Sequence, residues 1–443
     1  MPAEGIELSS GDTAWLLVSS ALVLLMTPGL AFFYGGLNRS KSVLNMMMMS
    51  FASIGLISIL WLFYGFAYAF GPNEGGPITD VLGDPSHYWG WLDLSANMAF
   101  PPFPETPIPT YVIMAFQMMF AIITVALISG AISDRTKFAG WLVFAAGWFT
   151  LAYVPIAHMV WGLGYIGAKI GALDFAGGSA VHINAGAAAL ALAILVGRRV
   201  GWPRESFKPH NVPFVALGAG LLWFGWFGFN AGSELTADST TAVAFINTQV
   251  ATAAALLGWV LVEWLKNGRP TMVGASSGAV AGLVAITPAC AYLAPAWAVV
   301  LGLVAGVICS LAVSLKYMLG FDDSLDVFGI HFVGGWIGCL WIGLFGILGG
   351  ENIGLLNGGG AAQLGKQAAG AGIVTVWSFV VALVVGLLVK YTIGLRVKEE
   401  HEVEGIDTHQ HRESAYESAV VAAGGFVTGA HAAEEKTGQP AGV

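Results

Sequence analysis

The sequence predicts an all-α polytopic membrane protein with eleven transmembrane helices, and three observations support this fold class. The 443-residue chain is 56% hydrophobic and only 10% charged, with a mean hydropathy of +0.73. A soluble domain carries about 25% charged residues. Apolar runs of about 20 residues, the length that crosses a bilayer as a helix, recur along the chain. The basic residues are confined almost entirely to alternate loops between these runs.

The apolar runs give the predicted elements in order. We assign spans to residues 13–37, 43–70, 110–133, 138–158, 179–197, 211–232, 240–264, 273–291, 295–319, 327–349 and 366–395. Every Lys and Arg except Lys169 and Lys366 falls in alternate loops or in the C-terminal tail. Because basic loops stay in the cytoplasm, we expect the N-terminus outside the cell membrane and the C-terminus inside.

The loop between the second and third spans, residues 71–109, is acidic and contains no basic residue. Its carboxylates are Glu74, Asp80, Asp84, Asp93 and Glu105. We expect this loop to form an ordered external cap whose negative charge attracts cations. For any single carboxylate, a solvated loop position without a role is equally compatible with the sequence.

The first ten spans divide into two sets of five, at about residues 13–197 and 211–349, and the eleventh span follows at 366–395. An odd number of spans in each set forces the second set to be inverted relative to the first. Inverted repeats place a substrate path at their interface, near the midplane. The expected domains are therefore a membrane domain, 1–395, and a cytoplasmic regulatory tail, 396–443.

Two histidines occupy corresponding positions in the two halves. His182 follows Asp174 and opens the fifth span, and His331 follows Asp326 and opens the tenth. Ionisable residues inside a bilayer are costly and usually functional, so the pair predicts one shared pathway. The alternatives are rings that hydrogen-bond neighbouring helices, or a metal site, for which two histidines without further ligands are weak evidence. We predict no metal site, no cofactor and no enzymatic activity.

Glycines accompany both histidines. Pairs at 177–178 and 334–335 would let backbones approach closely beside the two rings. Small-residue ridges at 274–282 and 334–338 also predict close helix packing, although such ridges occur in any helix bundle.

Several motifs follow one another along the chain, including Trp226-Phe-Gly-Phe229-Asn-Ala-Gly-Ser233 and Asp326-Val-Phe-Gly-Ile-His331. Others lie at residues 26–37, 116–120, 156–162, 172–184 and 394–416. Together, over about residues 13–416, they resemble the ammonium transporter (Amt) branch of the Amt/Rh family. The resemblance implies a homotrimer with one pore per subunit, and eleven helices with the N-terminus outside. It also implies a P-II-type regulatory protein as a partner at the cytoplasmic face.

The resemblance also implies roles for individual residues. Trp161, Phe120 and Ser233 match an external ammonium recruitment site, and Phe120 and Phe229 match a stacked pair that closes the pore. His182 and His331 match twin histidines that line the pore and could relay protons.

Other residues receive supporting roles. Asp174 lies beneath the recruitment site, and we favour a role in capping the fifth helix over contact with the ion. Its carboxylate near the entrance would still stabilise a cation electrostatically. We assign Tyr34 and Trp226 to the pore wall or to packing, and His158 to a structural role. Asp322 and Asp323 are expected to form a solvated face.

The physical chemistry of these residues suits ammonium transport. An aromatic face attracts a small cation, and stacked phenylalanines exclude water and hydrated ions. A bare cation would be costly in such a pore, whereas neutral ammonia avoids most of that cost. We therefore predict a transporter that recruits ammonium or its analogue methylammonium, deprotonates it and conducts ammonia, with or without separate proton transfer.

Two other functions remain open from the sequence. One is an ammonium sensor that signals through its cytoplasmic tail. The other is an Rh-like channel for ammonia or carbon dioxide, which Trp161 and Ser233 disfavour because Rh proteins lack recruitment residues of those types.

Overall fold

The computed structural model describes residues 7–73, 78–87, 107–416, 420–422 and 425–427. Within these residues, ten helices are long and apolar enough to cross a membrane. In chain order the helices are α1 (Ser10–Leu37), α2 (Val43–Phe70), α3 (Thr110–Ile132), α4 (Phe138–Ile170), α5 (Gly178–Val196), α6 (Val212–Glu234), α7 (Ser239–Asn267), α8 (Met272–Ile286), α9 (Pro295–Leu319), α10 (Phe328–Phe345), α11 (Ala362–Thr392), α12 (Glu399–Glu404) and α13 (Ile406–Gln410). The prediction of a helical polytopic membrane protein is confirmed.

Two short antiparallel strand pairs accompany the helices. β1 (Ile347–Leu348) pairs with β2 (Glu351–Asn352) after α10. β3 (Val420–Ala422) pairs with β4 (Gly425–Val427) beyond α13. The residues of β1 and β2 are partly buried or exposed.

The predicted eighth span is shorter than expected. Helix α8 has 15 residues and ends at Ile286, whereas the sequence placed a span at 273–291. Pro288 lacks the N–H that a continuing helix requires, and the chain turns there. The amides of Ala289 and Tyr292 then make turn hydrogen bonds of 2.9 Å. The count of eleven spans stays a prediction, supported by ten spans and one short apolar helix among the described residues.

The predicted external cap is described only in part. Glu74, Asp93 and Glu105 lie outside the described residues. Asp80 pairs with Lys169 of α4, with 2.5 Å between carboxylate and ammonium, and its carbonyl accepts from the Tyr165 amide at 2.8 Å. The described part of the loop is therefore anchored to the end of α4.

Helix α5 lies at the centre of the bundle. Its span is 89% buried, whereas α2 and α11 are each only 33% buried. Its sequence is rich in alanine and glycine, so neighbouring helices can approach it on all sides. This placement puts His182 deep inside the protein.

The glycine pairs beside the two histidines meet in the structure. A Cβ added to Gly335 would lie 2.8 Å from the Gly178 carbonyl oxygen, closer than real Cβ atoms approach. The ridge on α8 packs on α7, where a Cβ on Gly278 or Gly282 would approach side-chain carbons of Trp259 or Ala255 to 2.6 Å. At both predicted sites the helices approach each other closely because glycine has no side chain.

A layer of buried ion pairs crosses one end of the bundle, which we call the basic end. Arg199 holds Asp322 through two bonds of 2.9 and 2.8 Å, and Arg39 contacts Asp134 at 2.9 Å. Asp322 and Asp323 are almost fully buried, so the expectation that they form a solvated face is wrong. Charged side chains tolerate such burial only when they are paired.

The same pairing sets the charge state of Asp322. Burial alone would raise its pKa, but the Arg199 hydrogen bond and the neighbouring guanidinium charges hold the pKa below its ordinary value. Asp322 therefore remains ionised and joins α5 to the loop before α10.

The tail docks on the helix ends at the basic end. The Asp407 carboxylate accepts from the amides of Leu44 and Asn45 at 2.9 and 2.8 Å, which caps the N-terminus of α2. Glu402 accepts from the Val200 amide and pairs with Arg396, each at 2.7 Å. The tail carboxylates thus accept hydrogen bonds from backbone amides at the start of α2 and in the loop after α5.

Candidate functional site

A cavity of about 650 Å³ opens at the end of the bundle opposite the basic end, and we call it the vestibule. Trp161 of α4, Phe120 of α3 and Ser233 of α6 all line it. These residues are distant in sequence and belong to three helices. The structure therefore brings the three predicted recruitment residues together at one cavity.

Local hydrogen bonds orient two of these side chains. The Trp161 indole N–H donates to the Asp174 carbonyl at 2.9 Å, so the ring is fixed without engaging its faces. The Ser233 hydroxyl donates to the Phe229 carbonyl at 2.7 Å, which leaves its oxygen free to accept. An aromatic face beside a hydroxyl acceptor suits a small cation that donates N–H bonds.

Two stacked phenylalanines close the inner end of the vestibule. The rings of Phe120 and Phe229 lie 4.1 Å apart between centroids with 20° between planes. Both side chains are almost fully buried. Phe120 lines the vestibule, whereas Phe229 lines a second, inner cavity. The stack therefore separates two compartments with apolar surface.

The inner cavity, which we call the lumen, is small. Its volume is about 10 Å³, and His182, His331, Trp226 and Phe229 line it together with apolar side chains. A cavity holds one water molecule when the space open to the centre of a water-sized sphere is roughly 10–15 Å³, and the lumen volume is measured in the same way. The lumen in this conformation therefore has room for about one molecule of that size.

The two histidines face each other in the lumen. Their Nδ1 atoms are 3.3 Å apart, and Trp226 stacks on His182 with centroids 5.4 Å apart. When both rings are neutral, one Nδ1 donates and the other accepts, so the two Nε2 atoms differ. One Nε2 then carries a lone pair and the other an N–H. His182 Nε2 has no hydrogen-bond partner among the described residues.

Both histidines lie in π-helical turns that open their helices. His182 belongs to the turn Gly178–Ile183, and His331 belongs to the turn Phe328–Phe332. Such wide turns are rare and frequently occur at functional sites. The same local structure at matching positions supports the prediction of two related halves.

Asp174 organises the first of these turns. One carboxylate oxygen accepts from the amides of Gly177 and Gly178 at 2.9 and 2.6 Å. The other accepts from the Ser179 amide and hydroxyl at 2.7 and 2.5 Å and from the Ala180 amide at 3.0 Å. Gly177 has a φ of +116°, which favours glycine. This geometry favours the capping role over contact with an ion.

A second carboxylate caps the other turn, and it belongs to Asp323 rather than to Asp326, the aspartate that the sequence motifs matched with Asp174. Asp323 accepts from the Phe328 amide at 2.7 Å. Asp326 instead forms an ion pair of 2.6 Å with Lys316. The signal was present in the spacing, because Asp323 precedes His331 by the same eight positions that separate Asp174 from His182.

The environment of Asp323 also changes its titration. Burial raises its pKa to about 6, with an opposing effect from the Lys316 charge and a further increase from Asp326. Asp323 therefore titrates well above an ordinary aspartate.

Trp226 and Tyr34, both assigned to the pore wall or to packing, have different environments in the structure. Trp226 lines the lumen, and its indole N–H donates to the Thr287 hydroxyl at 2.8 Å. Tyr34 is buried, and its hydroxyl donates to the Leu127 carbonyl at 3.0 Å. Of the two, Trp226 lines the lumen cavity and Tyr34 does not.

His158 lies outside both cavities. Its Nδ1 is 3.0 Å from the Ala69 carbonyl oxygen and its Nε2 is 2.8 Å from that of Thr79. The ring thus joins α4 to the end of α2 and to the loop that follows. This arrangement agrees with the structural role expected for His158.

Glu234 lines the candidate site but was not predicted from the sequence. It follows Ser233 directly and its partly buried side chain lines the vestibule. The available signal was a carboxylate at the end of an apolar helix, beside a predicted recruitment residue.

Comparison with known proteins agrees with this architecture. The model of the Ammonium Transporter Family matches residues 14–416. An ammonium transporter of Mycobacterium tuberculosis is 53% identical over 437 residues, which cover 93% of this chain and 91% of that protein. A putative ammonium transporter of Methanothermobacter thermautotrophicus is 48% identical over 415 residues, with coverage of 92% and 99%.

A solved structure has the same fold. The crystal structure of Candida albicans Mep2 superimposes with a TM-score of 0.81 at 33% sequence identity. The match covers 89% of this chain and 88% of that one. The similarity therefore extends over most of both chains.

Proposed function

The chain belongs to the ammonium transporter family, and we propose that it recruits ammonium in the vestibule, removes one proton and conducts ammonia through the lumen. Ammonium transport by a multi-pass membrane protein is the function that its family and relatives support. The observation that carries the proposed mechanism is a lumen of water-molecule size, lined by two facing histidines and separated from the vestibule by the phenylalanine stack.

Recruitment uses the vestibule residues. Ammonium binds against the face of Trp161, beside Phe120, and donates one hydrogen bond to the Ser233 oxygen. The cation–π attraction is worth about 0.5–2 kcal/mol and grows as water is removed. Because Trp161 and Ser233 both line the vestibule, the geometry favours a cation-recruiting transporter over a gas channel.

Ammonium then gives its proton to water in the vestibule, because the phenylalanine stack is a poor path for a cation. Moving an unpaired ammonium ion into an apolar lumen costs far more than moving neutral ammonia. Phe120 and Phe229 part transiently to admit ammonia and exclude hydrated ions. The stacked, buried geometry of the two rings supports this gating role.

In the lumen, ammonia meets both kinds of hydrogen-bonding partner. It donates to the Nε2 that carries a lone pair and accepts from the Nε2 that carries a proton. When the shared proton moves from one Nδ1 to the other, the first ring must gain a proton at Nε2 and the second ring must lose its Nε2 proton for both rings to stay neutral. This coupled transfer interchanges the two roles and offers a route for separate proton transfer. The 3.3 Å distance between the Nδ1 atoms supports this role for His182 and His331.

For the oligomeric state and the membrane topology, we propose what the sequence predicts. We propose a homotrimer in the cell membrane with eleven spans, two inverted repeats, the N-terminus outside and the tail from residue 396 in the cytoplasm. The docked tail is a surface at which a P-II-type protein could bind. Its hydrogen bonds to the N-terminal end of α2 and to Val200 support its position at the basic end of the bundle.

Methylammonium uptake into proteoliposomes tests the mechanism. In a His182→Ala, His331→Ala double variant, ammonia loses both imidazole partners, each worth about 0.5–1.5 kcal/mol, so uptake should fall about tenfold or more. Ammonium in excess should inhibit uptake by the unmodified protein.

His401→Ala is the matched control, because it removes an imidazole from the tail rather than from the lumen. Its uptake should equal that of the unmodified protein. Normal uptake by the double histidine variant would refute the pore role of the pair.

A further inference from the structure

Glu234 places a carboxylate in the vestibule that the proposed mechanism does not use. The residue ends α6 directly after Ser233, and its side chain lines the same cavity as Trp161 and Phe120. It is only partly buried, so its charge reaches both the cavity and the solvent outside. A cation that enters the vestibule therefore passes this group.

The neighbouring carboxylates already accept hydrogen bonds from backbone amides. Asp174 accepts five hydrogen bonds from the start of α5. Asp238 accepts from two amides at the start of α7, at 2.8 and 3.1 Å, and Asp12 accepts from the Ala237 amide at 2.8 Å. Neither Asp12 nor Asp238 lines the vestibule.

Glu234 has a different environment. The Thr240 side chain lies near its carboxylate, and no backbone amide in the described part of the chain binds that carboxylate. Of the two carboxylates that line the vestibule, it is the one with oxygens left to accept from a ligand.

The vestibule walls strengthen the effect of this charge. The lining contains no Lys or Arg among the described residues, and most of its side chains are apolar or aromatic. Next to apolar walls the effective dielectric constant is lower than in bulk water, so a carboxylate attracts a cation more strongly. Tyr292 adds an aromatic ring to this lining.

We propose that Glu234 forms an outer cation subsite, which binds ammonium or methylammonium in the vestibule before the cation reaches Trp161 and Phe120. The inference rests on the proposed function and adds a residue that determines apparent affinity. Loss of the carboxylate charge weakens occupancy of the vestibule and leaves the gate and the lumen intact.

Glu234→Gln tests the subsite, because it removes the charge and keeps the size of the side chain. Initial rates of methylammonium uptake into proteoliposomes are measured over a range of concentrations. The half-saturating concentration should rise about 3- to 10-fold, as expected for a partly exposed ionic contact. The maximal rate should stay the same, because binding is lost without a change in later steps. The difference from the unmodified protein should shrink in about 0.5 M salt.

Asp238→Asn is the matched control. It neutralises a carboxylate four residues away that lies outside the vestibule lining, and asparagine also caps helices well. This variant should keep the half-saturating concentration of the unmodified protein. Equal half-saturating concentrations in Glu234→Gln and Asp238→Asn would overturn the subsite, as would a lower maximal rate at unchanged half-saturation. Absence of uptake by the unmodified protein would instead overturn the proposed function.

Discussion

Both oxygens of Asp174 accept hydrogen bonds, so this residue needs the full carboxylate. An asparagine would turn its NH₂ group toward two or three donors, and each unsatisfied buried donor costs about 1–3 kcal/mol. Asp174→Asn should therefore lower the unfolding temperature in detergent and reduce ammonium uptake. Thermal unfolding followed by tryptophan fluorescence measures the first effect.

Asp238 provides the matched control for this substitution. Its Oδ1 alone accepts from the Thr240 and Thr241 amides, so an asparagine oxygen can replace it. Asp238→Asn should leave the unfolding temperature nearly unchanged. Equal effects of the two substitutions would contradict the account of Asp174.

The raised pKa of Asp323 predicts a pH dependence of stability. Its native pKa of about 6 exceeds the ordinary value of about 3.9, so the folded protein holds this proton more tightly than the unfolded chain. The contribution of Asp323 to the free energy of unfolding is therefore most favourable below about pH 4, and it declines as pH rises to about 6.

Asp323→Asn isolates this contribution. The amide keeps an oxygen for the Phe328 N–H but does not titrate. Unfolding temperatures measured between pH 4 and 7 should fall less with rising pH in the variant than in the unmodified protein. Glu351→Gln, which removes an exposed carboxylate, should retain the original pH dependence. Parallel curves for Asp323→Asn and the unmodified protein would contradict the assignment.

At the scale of elements, contact between α5 and α10 depends on glycine. A Cβ on Gly335 would lie 2.8 Å from the Gly178 oxygen and 2.9 Å from Ile183 Cγ1. Gly335→Ala should destabilise the protein by about 1–3 kcal/mol, the usual cost of overpacking. It should also reduce uptake, because α10 carries His331 and must move away from α5.

Gly220→Ala is the opposite case. A Cβ at this position on α6 has no neighbour within 4 Å, and alanine favours helix by up to about 1 kcal/mol over glycine. This variant should be as stable as the unmodified protein or more so. If Gly335→Ala were equally stable and active, the close packing of α5 and α10 would not be required.

The helices also show which features could be predicted from hydropathy and which could not. Hydropathy predicted the long spans, because a bilayer-crossing helix must be apolar over its whole length. It failed at the end of α8, where Pro288 stops a helix within a still apolar run. It also failed for Asp322, because the Arg199 partner that permits its burial lies on a different loop. It failed for Asp323 because the Phe328 amide that binds its carboxylate is positioned only in the folded chain.

At the scale of the whole molecule, the distribution of basic residues predicts the orientation in the membrane. The native cysteines at 290, 309 and 339 are buried and free, so single exposed cysteines can be labelled over a low background. A membrane-impermeant maleimide applied to intact cells should label Ala237→Cys, beside the vestibule, and not Glu400→Cys in the tail. After permeabilisation both should react. Labelling of Glu400→Cys in intact cells would contradict an external N-terminus and a cytoplasmic tail.

The sequence by itself determined the membrane class, the family resemblance and the residues Trp161, Phe120, Phe229, Ser233, His182 and His331. Composition, charge distribution and ordered motifs are local properties that can be read along the chain. The tertiary structure decided which of these side chains share a cavity, that Asp323 rather than Asp326 caps α10, and that Glu234 faces the vestibule. These facts depend on distances between residues far apart in sequence, and close packing of helices fixes such distances only when the whole chain is folded.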